Sequence, residues 1–234
     1  MTTKIVNGNI FTSKCQVLVN TVNCVGVMGA GIALECRLRY PEMHTKYIQF
    51  CNEKKIDIGK LWLYKSTERW VLNFPTKRHW KHPSKIEYLE AGLEKFLDTY
   101  DEKGITSIAF PLLGADKGGI PQDESLRVME SYLKQATIDI EIYRYSPTAA
   151  DDFYEKTKEW LLSQDIQAIS DMTKLRKDFV IKLIEAVKSE EIFQLNQLAR
   201  VDGIGIKTLE KIFNLARNPS ANHMDVLARQ KTLI

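Results

Sequence analysis

Two glycine-rich segments and one basic loop carry the residue types that can do chemistry here. The first segment, residues 20–34, reads NTVNCVGVMGAGIAL and holds Gly26, Gly29 and Gly31. It leaves a β-rich run and opens a helical one. Glycines let backbone approach a ligand closely, and the N–H groups of a helix start face an anion. The second segment, residues 110–120, reads FPLLGADKGGI and holds Gly114, Gly118 and Gly119 after another β-rich run. One such loop is commonly a mere turn. Two at one sheet edge suggest a diphosphate held between two main-chain clamps. Neither has the spacing of a Walker loop or of a G-x-G-x-x-G turn.

The third segment, residues 73–85, reads NFPTKRHWKHPSK. Lys77, Arg78, Lys81 and Lys85 alternate there with His79, Trp80 and His82. As a solvated loop it needs no function. As a ligand-side loop it offers phosphate or nucleic-acid contact, a stacking ring and a reactive lysine. His79 and His82 lack a third ligand nearby, so no metal is expected.

These segments need a scaffold that brings strand ends together. Residues 1–145 supply alternating strand and helix patterns. Strands are predicted at 4–11, 17–22, 61–64, 70–74, 107–111 and 139–145. Helices are predicted at 30–52, broken at Tyr40-Pro41, and at 84–100 and 123–135. Ser84 stands three residues before Glu87, the spacing of a capping box. Such alternation predicts an α/β layered fold with a parallel or mixed sheet, in which ligands bind beyond the carboxyl ends of the strands. After Pro147 the pattern turns wholly helical, with helices predicted at 152–163, 173–188, 191–199, 207–214 and 224–231 and a stop at Pro219. A boundary is expected near 165–172, the 152–163 helix closing the α/β unit.

Composition excludes several classes. The 234 residues are 44% hydrophobic and 27% charged, the profile of a globular protein and not of a disordered or fibrous chain. No apolar run approaches the roughly 20 residues that span a bilayer. The start lacks a signal-peptide pattern, and the four cysteines, Cys15, Cys24, Cys36 and Cys51, show no metal or redox spacing. A cytoplasmic protein with reduced thiols is expected.

Taken together, GNIF, NTVN, CVGVMGAGIA, NFPTKRHW and GITSIAFPLLGADKGG resemble the macrodomain family over residues 1–155. The resemblance is strongest to the branch of DNA ADP-ribosyl glycohydrolase antitoxins of the DarG type. It implies a three-layer α/β/α fold with a mixed sheet over residues 1–165, followed by a small all-α region at 172–234. It implies ADP-ribose across the strand ends and hydrolytic removal of ADP-ribose from bases of DNA, thymine foremost, without metal or other cofactor. Implied partners are ADP-ribosylated, single-stranded DNA and a cognate DNA ADP-ribosyltransferase toxin; no membrane is implied. By the same resemblance Asn9 stands at the adenine position, where many macrodomains carry aspartate, with Ile10 beside it. Asn20 and Asn23 face the distal ribose, Val27, Met28, Gly29, Ala30 and Gly31 with Gly114, Ala115, Asp116, Lys117, Gly118 and Gly119 hold the diphosphate, and Lys77 is the catalytic lysine. Tyr145 stands where it can stack on adenine. A related branch pairs the lysine with an aspartate in the second glycine loop. Here that place falls at Gly118, with Asp116 shifted, so the general acid is left open between His79 and Asp116. Arg78, Trp80 and Lys81 are the expected DNA contacts of the basic loop.

Residues 198–216, LARVDGIGIKTLEKIFNLA, resemble a helix–hairpin–helix, with Gly203 and Gly205 in the hairpin and Lys207 on the second helix. The plain alternative is a glycine turn between helices. Thirteen basic residues balance thirteen acidic ones from 151 onward, so any DNA contact there is weak and sequence-independent. Two other readings of the whole chain stay open: hydrolysis of protein-linked ADP-ribosyl esters or O-acetyl-ADP-ribose, and ADP-ribose reading without turnover.

Overall fold

The computed structural model describes residues 2–217. Its first unit is built on six strands: β1 (Thr3–Gly8), β2 (Val17–Asn23), β3 (Trp62–Tyr64), β4 (Trp70–Lys77), β5 (Ser107–Pro111) and β6 (Asp139–Tyr145). Helices α1 (Gly31–Arg39), α2 (Pro41–Asn52), α3 (Ile86–Thr99) and α4 (Gln122–Leu133) connect them. Strand order is β1-β6-β5-β2-β4-β3, and every pairing is parallel except the edge pairing of β3 with β4.

Parallel strands buried on both faces tolerate continuous apolar runs. The sequence obeys this in Val17–Val19 of β2 and Ile108–Phe110 of β5, all nearly or wholly buried. Leu89, Leu93 and Phe96 of α3 and Leu126, Met129 and Leu133 of α4 cover one face of the sheet. Ala33 and Cys36 of α1 with Met43, Tyr47 and Cys51 of α2 cover the other. The result is a three-layer α/β/α unit around a mixed sheet. Tyr40-Pro41 breaks the first helical stretch because proline cannot continue a helix but suits a first turn.

Two local expectations change. Ser84 does not cap α3; Lys85 holds that position without a side-chain bond, and the Ser84 N–H donates instead to the Gly118 carbonyl at 2.9 Å. The strand expected at 70–74 runs on through Pro75 to Lys77.

The second unit begins earlier than expected. Contacts divide the chain between Ala149 and Ala150, so α5 (Asp152–Ser163) belongs to the helical unit and does not close the α/β unit. The cause is local. Asp151 accepts from the N–H groups of Phe153 and Tyr154, both at 3.2 Å, and from that of Leu195 at 3.1 Å. Phe153 meets Phe213 edge to face at 5.3 Å. The expected linker at 165–172 is itself helical: α6 (Ile166–Thr173) is capped by Asp165, which accepts from Ala168 N–H at 2.9 Å, and buries Ile169. The predicted 173–188 helix therefore starts late, as α7 (Lys177–Lys188), and 191–199 becomes a 3-10 segment, Leu195–Arg200. The last described helix is α8 (Ile206–Arg217). Pro219 and the helix predicted at 224–231 lie outside the described residues. Among the described residues no helix is long and apolar enough to cross a membrane.

Gly92 sets the spacing of α3 on the sheet. A Cβ there would lie 2.1 Å from Phe74 Cζ. Alanine in a helix gains about 1 kcal/mol over glycine, whereas forcing an apolar ring aside costs about 1–3 kcal/mol. We predict a net loss for Gly92→Ala by urea unfolding, partly recovered when Phe74→Leu is added. Unchanged or raised stability in the single variant would show that the ring steps aside freely.

Candidate active site

Because β1, β6, β5, β2 and β4 run parallel, their carboxyl ends share one edge. That edge collects Asn9, Tyr145, the second glycine loop, Asn23 with the first glycine loop, and Lys77. β2 lies between β5 and β4, so the first glycine loop emerges between the second and the lysine.

The first loop is shaped by Asn23. Its Oδ1 accepts from the N–H groups of Val25 at 3.0 Å and Val27 at 3.3 Å, and its Nδ2 donates to the Val27 carbonyl at 2.6 Å. Tyr47 of α2 holds it from beneath, donating its hydroxyl to the Asn23 carbonyl at 2.6 Å. Asn23 thus folds the loop. Cys24 fastens it to β4: its N–H donates to the Arg78 carbonyl and its thiol to the Lys77 carbonyl, both at 3.3 Å. Burial first of all, then Asp57, pushes the Cys24 thiol up to about 11, which keeps it protonated as a donor. Gly29 and Ala30 are exposed, and Gly31 opens α1 with φ of 56°.

The second loop turns on Gly114, Asp116 and Gly119, with φ of 66°, 46° and 84°. Asp116 in this region costs about 1–2 kcal/mol of backbone strain. Space decides the glycines. A Cβ on Gly114 would meet Ile120 Cδ1 at 2.8 Å, and one on Gly118 would meet Ser84 Oγ at 2.7 Å. A Cβ on Gly119 would meet nothing within 4 Å, so that glycine borders open space. Ser84 is the anchor of this loop through its N–H, and its buried hydroxyl has no partner. Its S-x-x-E spacing disguised that role as a helix cap.

Lys77 joins the two loops. It ends β4, and its Nζ donates to the Lys117 carbonyl. Partial burial lowers its pKa from the ordinary lysine value. Beyond it the basic loop folds into a turn, His82 N–H donating to the His79 carbonyl at 3.1 Å. The His79 ring stacks on exposed Trp80 at 5.7 Å and 26°, and Lys81 Nζ lies 5.2 Å above the Trp80 ring. His79 Nδ1 accepts from Lys81 N–H at 3.2 Å, which leaves Nε2 as the ring's outward nitrogen. Arg78 pairs with Asp57 at 2.8 Å on the surface.

Other expected residues differ in reach. Asn20 does not open onto the edge. It lies inside β2, wholly buried, and donates to Asn73 Oδ1 at 2.9 Å. The reason is that β2 continues three residues past it. Asn9 is buried, its Oδ1 accepting from Phe11 N–H at 3.1 Å to start a short 3-10 turn, so that amide oxygen already has a donor. Ile10 and Met28 bury their side chains in the core and offer only main chain. Tyr145 is 43% exposed at the end of β6.

The Macro domain family matches residues 19–129, from within β2 to within α4. The macrodomain of Mycobacterium tuberculosis DarG is 38% identical and superposes with a TM-score of 0.60 over 62% of this chain and 99% of that one. The chain belongs to the macrodomain family. Two further macrodomain relatives mark the branch. "DNA ADP-ribosyl glycohydrolase" of Thermus aquaticus is 38% identical over 148 residues, 62% of this chain and 41% of that protein. "Thermosipho africanus DarTG in complex with ADP-ribose" is 34% identical with a TM-score of 0.58, over 61% of this chain and 42% of that one. This chain spans about 41% of the length of the first of these, so its macrodomain corresponds to one part of a longer protein.

The macrodomain's first glycine loop should therefore depend on one amide. Asn23→Ala leaves the N–H groups of Val25 and Val27 without their acceptor. These bonds are only part-buried, so losing one costs about 0.5–1.5 kcal/mol. We predict faster amide exchange at Val25 and Val27 while β5 and β6 stay protected. Equal protection in loop and strands would show that the asparagine does not hold the loop.

Proposed function

We propose that this macrodomain removes ADP-ribose from modified bases of single-stranded DNA, thymine foremost, and so reverses the action of a DNA ADP-ribosyltransferase toxin. The observation that carries the reading is the position of Lys77, a partly buried amine between two glycine loops at one sheet edge with a stacking ring just beyond. The names of the relatives agree with it. Free thiols at Cys15, Cys24, Cys36 and Cys51 suit a reducing, cytoplasmic setting.

In this reading the main chain at Asn9 and Ile10, with Tyr145, receives adenine. Val27–Gly31 and Gly114–Gly119 clamp the diphosphate, with the first turn of α1 supplying N–H groups to it. The distal ribose then lies near Lys77. Asn20 takes no part in contact, and Asn23 acts by holding its loop.

The bond to be cut joins the anomeric carbon to a base nitrogen. The neutral Lys77 amine donates its lone pair to that carbon, the carbon–nitrogen bond breaks, and its electron pair leaves with the base. The base nitrogen takes a proton from the general acid, for which His79 and Asp116 are the candidates. Loss of the amine's extra protons and opening of the ribose ring give an imine, which water hydrolyses to free ADP-ribose and the amine. Desolvation favours the neutral amine, so the lowered pKa of Lys77 serves this step. A second reading comes from the bond between Lys77 Nζ and the Lys117 carbonyl: as a charged clamp, the lysine would hold the second loop in place without bonding to carbon.

Arg78, Trp80 and Lys81 would take the strand beside the modified base, by stacking and phosphate contact. In the helical unit, Gly203 has φ of 83°, a Cβ on Gly205 would meet nothing within 4 Å, and Lys207 lies in the first turn of α8. We propose a phosphate contact there. Lys207→Glu should weaken binding of unmodified single strands and make its salt dependence shallower, by anisotropy, without moving free ADP-ribose affinity. Equal strand affinity would reduce this segment to a turn.

The decisive experiment offers ADP-ribosylated single-stranded DNA and, separately, ADP-ribosylated protein. Release from DNA alone is expected; release from protein alone, or from neither, would favour the ester hydrolase or the reader. Lys77→Ala should abolish release while free ADP-ribose binds within a few-fold. Lys77→Arg keeps the charge but supplies no neutral amine, so it should be inactive too. The neutral fraction of Lys77 grows as pH rises while the general acid loses its proton, so the wild-type rate should pass through a maximum, its lysine limb lying below the ordinary lysine range. Turnover by the arginine variant, or a flat profile, would leave Lys77 as a clamp.

A further inference from the structure

A groove of about 340 Å³ lies away from the glycine loops, between α2 and the edge strand β3. Lys46 and Phe50 come from α2, and Trp62, Tyr64 and Lys65 from β3 and the residue after it. Trp62 and Tyr64 pair with Asn73 and Val71 of β4, which puts both rings on the α2 side of the sheet. Phe50 meets Trp62 edge to face at 5.0 Å, and Trp62 meets Tyr64 at 6.0 Å and 68°. All three rings are only half-buried.

Ammonium groups ride on this aromatic row. Lys46 Nζ lies 6.0 Å from the Tyr64 ring and Lys55 Nζ 5.4 Å from the Phe50 ring. The acid at the rim, Glu53, is already engaged, pairing with Lys55 at 2.6 Å and accepting from Gln49 Nε2 at 2.8 Å. At 6.0 Å an exposed cation–π contact is worth about 0.5–1 kcal/mol or less. Such a lysine turns to a phosphate at little loss.

We infer that this groove binds single-stranded nucleic acid, as a secondary track for unmodified nucleotides flanking the reacting base. Part-exposed rings set edge to face offer apolar contact to flat heterocycles, and Lys46 beside them offers a cation to an anionic backbone. A peptide adding to the edge strand fits less well, because β3 offers only three residues of main chain. The track also lies within reach of the chemistry. Trp62 is opposite Asn73, four residues before Lys77 along β4, or about 13 Å at strand spacing. The inference rests on DNA being the substrate, and adds a second contact that sets how much strand is gripped.

The test uses the full chain and a fluorescein-labelled, unmodified deoxythymidine 12-mer, followed by anisotropy. Tyr64→Leu keeps apolar bulk but removes the ring, and should weaken binding at least about fivefold. Lys46→Glu, on an exposed helix position, should weaken it and make the salt slope shallower by about 0.7, one phosphate contact. Both variants should bind free ADP-ribose as the wild type does. With modified DNA, KM should rise for a 12-mer and stay constant for a modified mononucleotide. Unchanged 12-mer affinity in both variants, or failure of the wild type to bind it, overturns the track. Loss in Lys46→Glu alone overturns the stacking and leaves a charged patch. Turnover of the modified mononucleotide reports separately on the catalytic reading, so either proposal can fail without the other.

Discussion

Parallel pairing of β2 with both β4 and β5 is the constraint from which the site follows. Main-chain hydrogen bonds of the ladder leave no freedom in direction: three adjacent strands must release their carboxyl ends at one edge. Lys77, Asn23 and the turn beginning at Gly114 are then neighbours although 54 residues separate Asn23 from Lys77 in sequence. The helical layers make this possible by keeping both faces of the sheet dry. Gly92 is part of that arrangement, because α3 seats on Phe74 only where no side chain intervenes.

The fold was legible because burial on both faces writes itself into composition. The runs at β2 and β5 and the break at Tyr40-Pro41 are direct consequences of packing and of proline geometry. Boundaries that depend on a single side chain were not legible. Asp151 draws α5 into the helical unit through three N–H groups, one of them 44 residues on, and nothing in its neighbourhood announces Leu195. Ser84 misled for a related reason. A capping spacing describes a local option, and the glycine loop offers its N–H a better carbonyl at Gly118.

Within the site, glycine positions and Lys77 were readable from type and spacing, while side-chain duties were not. Asn20 and Asn23 look alike in the NTVN sequence. Strand alternation sets them on opposite faces without saying which reaches the edge; the end of β2 decides that, burying one against Asn73 and setting the other at the mouth of a loop. The aromatic groove escaped notice for a different reason. Phe50 and Trp62 are twelve residues apart on a helix and a strand, and only the antiparallel turn of β3 lays them side by side. Net charge concealed it as well: a chain at +3 overall can still gather its lysines where acids are engaged.

The contact between Lys77 and the Lys117 carbonyl has a consequence for how this site drifts over time. Its acceptor is main chain, so every amino acid at 117 supplies the same oxygen. Substitution there is invisible to the contact, and a comparison of side chains would score the position as free. Heritable change can reach the contact by two routes only. One is the lysine itself. The other is the set of left-handed residues, Gly114, Asp116 and Gly119, whose backbone angles aim that oxygen. Variation should therefore pool at 117 while the residues around it stand still.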